Sequence, residues 1–149
     1  MSNIQSIMQL DRINVIEFSI KFNEKIDTTI DQDEDDSSII VDFEPQVADD
    51  MPLKHRLFLD FHLEKTSEKS LIDQLHFKVY GYFTFFDDLG KEKMNQFLVF
   101  NGLAMLYSMM RTHILQLSAM TDYRVMLPTL DVSKLVKDHY EMEKTKNPQ

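Results

Sequence analysis

The 149-residue sequence contains no cysteine and only 3 glycines. The absence of cysteine excludes disulfide scaffolds, Cys-ligated zinc, iron–sulfur clusters and thiol nucleophiles. The scarcity of glycine argues against glycine-rich phosphate-binding loops, and no serine-nucleophile motif is present. The length fits one domain, which we expect to span residues 1–149. Together these features favour a protein that is not an enzyme and that uses no cofactor.

Positive charge is missing from one segment. Ten acidic and no basic residues lie between Asp27 and Asp50, whereas the whole chain has 25 acidic and 16 basic residues and a net charge of −9. The rest of the chain is therefore nearly neutral and has no basic stripe, which argues against nucleic acid as a partner. We predict a mobile acidic loop at about residues 23–38.

The sequence also lacks a secretory signal and a convincing membrane span. The first residues, MSNIQSIMQLDRIN, have neither a basic start nor a continuous apolar run. Residues 97–117 are mostly apolar, but Arg111, His113 and Gln116 interrupt them. We therefore expect a cytoplasmic protein that does not insert into membranes.

Alternating hydrophobicity predicts strands in the first half of the chain. Residues 10–22 alternate so that Ile16 and Phe18 lie on one face and Val15 on the other, which is typical of a half-buried strand. Residues 39–43 form a short strand-like run, and we expect Pro45 to end it.

Two longer alternating segments follow. Residues 53–65 and 72–86 flank the polar turn at 66–70, and this arrangement predicts a hairpin. From Tyr80 onward the second strand carries aromatic residues on both faces. Gly81 within it suggests either a bulge or the close approach of another backbone.

Two helices complete the predicted fold. A long apolar helix spans about residues 91–119, and a shorter one begins after Asp131, a good N-cap residue, and ends in a frayed tail at about 141–149. Strands followed by helices indicate an α+β fold: a four-stranded antiparallel sheet, then a long apolar helix and a shorter C-terminal helix. Apolar residues surround most of the long helix, so it needs a second apolar neighbour besides the sheet. Another subunit is the obvious candidate.

Metal sites have weak support in the sequence. His62 and His76 flank the 66–70 turn and could face each other, and Asp60 and Glu64 lie nearby. No HExxH or comparable spacing supports a metal site, and solvated residues on a strand face are the simpler interpretation. The acidic run DQDEDD lacks the glycine and the terminal glutamate of the twelve-residue calcium loop. We therefore expect no metal site.

Two features favour binding of apolar polypeptide. The aromatic run at residues 80–86 stands where a solvated sheet would carry polar residues, although a covering helix would also explain it. Six of the ten methionines lie between Met94 and Met126. Methionine adapts to irregular partners and recurs on promiscuous binding surfaces, although it also fills cores.

The order of these elements resembles the SecB family of protein-export chaperones, from about Leu10 to Lys137. The similarity is carried by the segment IIVDFEPQVADDMP, by the hairpin end VYGYFTFF, and by VMLPTLDVSKLV before the last helix. Gly81, Phe83 and Thr84 match the family's glycine, aromatic and small hydroxyl residue, and Pro128 and Asp131 match its proline and the polar residue that opens the final helix.

The resemblance implies an ATP-independent holdase that binds non-native polypeptide in an apolar groove. It also implies a homotetramer, built as a dimer of dimers with the long helices packed between the pairs. The implied peptide-binding residues, taken from both strand faces, are Phe43, Val47, Tyr80, Tyr82, Phe83, Phe85, Leu130, Val132, Leu135 and Val136. The expected oligomer interface comprises Phe97, Leu98, Phe100, Met105, Tyr107 and Met109.

The sequence departs from the export chaperones where they dock the translocase motor SecA. Gln74 and His76 stand near two positions of the family's acidic and apolar docking patch, and neither is acidic. The tail EKTKNPQ does not resemble the SecA-binding tail either. Both differences put SecA in doubt as a partner, and SecB-like relatives that protect an antitoxin become an option. Two alternatives stay open: a small α+β module that binds an apolar small molecule, and a structural subunit of a larger complex.

Overall fold

A computed structural model describes residues 6–23, 37–65, 72–120, 127 and 130–146. Four antiparallel strands form one sheet in the order β1-β4-β3-β2, and two helices follow them. Their bounds are β1 Met8–Phe22, β2 Ser37–Val47, β3 Lys54–Lys65, β4 Ile72–Phe85, α1 Lys91–Ser118 and α2 Val132–Lys146. The α+β fold class and the hairpin of β3 with β4 are thereby confirmed. The 66–70 turn, Pro128 and most of the predicted acidic loop lie outside the described residues.

The two central strands separate a buried face from an outer face. Along β3 from Leu57 to Leu63 and along β4 from Leu75 to Phe85, buried residues alternate with more exposed ones, because successive residues of a strand point to opposite faces. The alternation predicted for these strands is confirmed. The side chains beneath α1 are Leu57, Leu59, Phe61, Leu63, Leu75, Phe77, Val79, Phe83 and Phe85.

Two glycines bring α1 close to the sheet. A Cβ atom at Gly102 of α1 would lie 2.8 Å from Cδ2 of Leu57, and one at Gly81 of β4 would lie 3.0 Å from Cδ2 of Leu106. Gly81 pairs with Ile13 and Leu57 in unbroken register. Of the two sequence interpretations of Gly81, the bulge is therefore wrong. The close approach is made by side chains, and another backbone plays no part in it.

Strand β1 corrects the predicted assignment of faces. The pairing with β4 passes from Val15 opposite Val79 to Glu17 opposite Lys78, so Ile16 is an extra residue in a bulge. Val15 consequently shares the helix-side face with Val79, and Ile16 is 51% exposed. The prediction that Val15 and Phe18 lie on different faces was wrong, because Val15 pairs with Val79 and Phe18 with Phe77 on the helix side, and a strict period of two does not survive a bulge.

Strand β2 is longer than predicted. Pro45 does not end it but pairs with Leu57, and β2 continues to Val47. Because β2 is an edge strand, the missing N–H of a proline need not interrupt the ladder with β3. The segment that joins β2 to β3 therefore begins after Val47.

The helix starts follow from local chemistry. Gly90 precedes α1 with φ of 90°, a conformation that favours glycine, and its carbonyl accepts a hydrogen bond from the Met94 amide. Asp131 caps α2: its Oδ1 accepts a hydrogen bond of 3.1 Å from the backbone N–H of Lys134, as predicted. Helix α2 continues to Lys146, within the segment that we expected to be frayed.

Candidate binding site

Helix α1 has both buried and exposed apolar side chains. Its sheet side is buried through Leu98, Leu106 and Met110, among others. Phe100, Met105 and Met109 are 41%, 37% and 46% exposed, and we call them the exposed α1 residues. At 3.6 residues per turn, Phe100 lies about 140° around the helix from Met105 and about 180° from Met109, so the three do not form one continuous face. The helix therefore exposes large apolar side chains on more than one side.

The predicted interface residues divide between exposed and buried positions. Phe100, Met105 and Met109 are the exposed α1 residues, whereas Leu98 and Tyr107 are buried and Phe97 is half-buried. The Tyr107 ring lies 5.6 Å from that of Phe61, centroid to centroid, and burial raises the pKa of its hydroxyl while Arg111 lowers it. The role of the six predicted residues in an oligomer interface stays a prediction.

A groove runs between the edge strand β1 and α1. It encloses about 560 Å³, and we call it the β1–α1 groove. Its strand side carries Ile13, Val15 and Phe77, and its helix side includes Met109. The polar side chains that complete the lining all belong to α1: Ser108, Thr112, His113 and Gln116.

The β1–α1 groove combines apolar contact area with access. Val15 is 51% exposed and Met109 is 46% exposed, so both offer apolar surface to an incoming chain. The His113 ring packs edge-on against Phe18 at 5.1 Å and fixes one side of the groove. The outer edge of β1 adjoins the groove, and among the strands that the structure describes β1 pairs with β4 alone. Free main-chain groups at such an edge can pair with an extended peptide.

A second cavity, of about 540 Å³, lies at the end of the sheet beneath the turn that joins β2 to β3. Three of the predicted peptide-binding residues line it: Val47, Tyr82 and Phe83. The guanidinium of Arg12 lies 4.2 Å from the centroid of the Tyr82 ring. Together with Lys54, which also lines the cavity, Arg12 makes this end-of-sheet cavity more polar than the β1–α1 groove.

Other predicted peptide-binding residues lie on different surfaces. Tyr80 is on the outer face, 5.0 Å from the Phe58 ring, whereas Phe85 is in the core. Phe43 is buried and packs on His139 of α2, with 4.2 Å between ring centroids. The remaining predicted residues pack against the core from α2 or the segment before it: Leu130, Val132, Leu135 and Val136.

The structure thus does not bring the ten predicted residues onto one surface. Sequence reasoning named Met109 only as an interface residue and missed Ile13, Val15 and Phe77 as groove-lining residues. The available signal was the apolar character of both β1 faces, but the bulge that places Val15 on the groove side has no signature in the sequence.

His55 is the buried histidine beside the end-of-sheet cavity. Its Nε2–H donates a 3.0 Å hydrogen bond to the carbonyl of Pro52, and its ring packs edge-on against Phe85 at 4.9 Å. Burial lowers the pKa of His55 below its usual value of 6.5, and the hydrogen bond to Pro52 partly opposes this. The neutral imidazole is therefore favoured in the folded protein.

A polar cluster occupies the outer face of the sheet. His62 and His76 pair directly across β3 and β4, and their rings stack with centroids 3.8 Å apart. Asp60 Oδ1 lies 2.8 Å from His76 Nε2 and 3.3 Å from His62 Nε2. Glu64, which the sequence placed near these histidines, instead pairs with Gln74.

Within the part of the chain that the structure describes, none of the helices is apolar enough over a sufficient length to cross a membrane.

Comparison with protein-family descriptions finds no match, and comparison with curated protein sequences finds none either. Among solved structures, the chain is similar to the SecB-like chaperone Rv1957 of Mycobacterium tuberculosis, solved in complex with a ChAD peptide from the Rv1956 HigA1 antitoxin. The TM-score is 0.57 and the identity 15%, and the match covers 83% of this chain and 91% of that chain. The resemblance to SecB is confirmed at the level of the fold.

Proposed function

We propose that this protein is a chaperone that holds non-native polypeptide without ATP. The observation that carries the proposal is the β1–α1 groove, an apolar channel beside an unpaired strand edge. Extended chains bind such sites by adding main-chain hydrogen bonds at the edge and by placing alternate side chains in pockets. The fold shared with a chaperone that binds an antitoxin peptide supports the same class of ligand.

Methionine supports a broad choice of clients. Met109 lines the groove, and its unbranched, polarisable side chain adapts to differently shaped apolar groups. On the same side of the groove, the hydroxyl and amide groups of Thr112 and Gln116 offer hydrogen bonds that do not depend on client sequence. We place the principal client contacts here, and secondary ones at Val47 and Tyr82 in the end-of-sheet cavity.

The same proposal includes assembly. Phe100 and Met105, which lie about 140° apart around α1, would be covered by other copies of the chain, which supply the second apolar neighbour that the long helix requires. We propose a homotetramer in the cytoplasm, with an antitoxin or an exported preprotein as client. SecA is the less favoured partner, because the outer face carries Gln74 and His76 where the export chaperones have an acidic and apolar patch.

Light scattering during the refolding of an aggregation-prone client tests this function. The protein, added at increasing ratios without nucleotide, should suppress scattering and saturate near one client per oligomer. Added ATP should change nothing. Undiminished scattering at a tenfold excess of this protein would contradict the proposal.

A second candidate function follows from the size of the cavities. Volumes of about 540 and 560 Å³ fall within the range of small-molecule sites. An apolar ligand carried through purification would appear in native mass spectrometry as a fixed mass increment. If unfolded client displaces that ligand, both use one groove; if it does not, the small molecule is the natural occupant.

A further inference from the structure

We propose that the outer face of the sheet holds one divalent transition-metal ion, with His62, His76 and Asp60 as ligands and Glu17 as the support for His76. The three proposed ligand side chains are half-buried, and their donor atoms lie within 4.8 Å of one another. This site is separate from the β1–α1 groove, because it lies on the opposite face of the sheet.

The backbone fixes the relative placement of the ligands. Asp60 and His62 stand two residues apart on β3 and so point to the same face, and His76 faces His62 across the ladder from β4. These two strands are the central pair of the sheet. Ligands mounted on rigid strands hold their geometry better than ligands on loops.

The donor atoms already converge. Both Nε2 atoms approach the same oxygen of Asp60, at 2.8 and 3.3 Å. Ligand atoms about 2.0–2.1 Å from a tetrahedral Zn²⁺ are separated from one another by roughly 3.3 Å. For an ion to bind among the three groups, the stacked rings of His62 and His76 would turn so that both Nε2 atoms point to one position.

His76 is placed to bind a cation at one ring nitrogen. Its Nε2 faces Asp60 at 2.8 Å and its Nδ1 faces Glu17 Oε2 at 3.2 Å, so both ring nitrogens meet carboxylates. A neutral imidazole has one N–H and donates to one of these carboxylates, whereas an imidazolium donates to both. A metal ion at Nε2 would take the place of one of those protons, and Nδ1–H would still donate to Glu17 in the carboxylate–histidine–metal arrangement common in metal sites.

Two further charged groups face Asp60 across its two ladders: Lys78 from β4 and Asp42 from β2. The Lys78 ammonium lies over the Phe58 ring, 5.7 Å from the centroid, and so turns toward an aromatic face. Two imidazoles and one carboxylate favour Zn²⁺ over Mg²⁺ or Ca²⁺, which prefer oxygen ligands. Three protein ligands leave a coordination position for water.

The test is calorimetric titration of untagged, chelator-treated protein with Zn²⁺, and with Co²⁺ followed by its ligand-field absorption. We expect one ion per chain. His62→Ala, His76→Ala and Asp60→Asn should each weaken binding about 100-fold, and Glu17→Gln, which removes only the support, about tenfold. His113→Gln, at a histidine on α1, is the matched control and should bind like the wild type.

A thermal-shift measurement distinguishes the loss of metal binding from the misfolding of a variant. Zn²⁺ should raise the melting temperature of the wild type and of His113→Gln, but not that of the His62→Ala/His76→Ala double variant, whose metal-free melting should be close to normal. Binding by this double variant at wild-type affinity would overturn the proposal. So would the absence of any saturable Zn²⁺ binding by the wild type.

Discussion

Gly102 of α1 lies against Leu57 of β3 so closely that an added Cβ would come within 2.8 Å of Leu57 Cδ2. Leu57 is fully buried, so it has no free space into which to move. The same Cβ would be 3.4 Å from Cζ of Phe83. The distance between helix and sheet at this point is therefore set by the absence of a side chain at residue 102.

The first prediction concerns this contact. Gly102→Leu should lower the free energy of unfolding by about 2 kcal/mol, because overpacking a core forces side chains and backbone apart. Gln96→Leu, at an exposed position of the same helix, introduces the same residue type without the clash and should change stability little. Denaturant unfolding followed by circular dichroism measures both. Equal stability of the two variants would contradict the packing described here.

The second prediction concerns the exposed α1 residues. A Phe100→Glu/Met105→Glu variant places charge where we propose that copies of the chain meet, and should dissociate the oligomer. Light scattering coupled to size exclusion should give four chains of 17.6 kDa for the wild type and a smaller species for the variant. Ile40→Glu serves as the control, because Ile40 is 61% exposed but lies on β2. A wild type that is monomeric at all concentrations would refute the assembly.

The third prediction concerns the client groove. Val15→Lys puts a charge on the groove side of β1 and should weaken binding of an unfolded client about tenfold, which corresponds to the loss of about 1.4 kcal/mol of apolar contact. Ile40→Lys makes the same kind of change on the opposite edge strand. Fluorescence anisotropy of a labelled unfolded client measures both affinities. An equal loss of client affinity in Ile40→Lys would mean that an added positive charge weakens binding wherever it lies, and it would contradict client binding in the β1–α1 groove.

The fourth prediction concerns pH. Because burial lowers the pKa of His55 in the folded state, the unfolded chain binds the proton more readily, and this histidine lowers stability as the pH falls. Its contribution should be complete above about pH 7 and should decline below the unfolded pKa near 6.5. A His55→Gln variant should lose this part of the slope between about pH 7.5 and 5.5 in denaturant unfolding. An unchanged slope in that variant would contradict a buried, neutral His55.

The sequence predicts the central strands well and the edges poorly. In β3 and β4 one face is fully buried, so every second residue must be apolar and the pattern is strict. In β1 the bulge at Ile16 reverses the faces, and only the pairing with β4 shows where it falls. In the sequence, Pro45 indicates the end of a strand, because the sequence does not show that β2 lies at the edge of the sheet.

The candidate site could be predicted only in part. The idea of an apolar polypeptide site came from the methionines and aromatics, and Met109 is one of its lining residues. The groove itself forms because β1 and α1, which are distant in sequence, lie side by side in the fold. Val15 of β1 and Met109 of α1 then face each other across the groove. Phe83 and Phe85 matched the family's pattern but belong to the core beneath α1. Local pattern does not distinguish a buried aromatic from a client-binding one.

The most direct test of the central claim is site-specific photo-crosslinking to an unfolded client. A photoreactive side chain at Gln116, which is exposed and lines the β1–α1 groove, should capture the client during refolding without ATP. The same group at Ile40, on the outer face of β2, should capture little. Capture that is equal at both positions, or stronger at Ile40, would contradict a polypeptide-binding groove between β1 and α1.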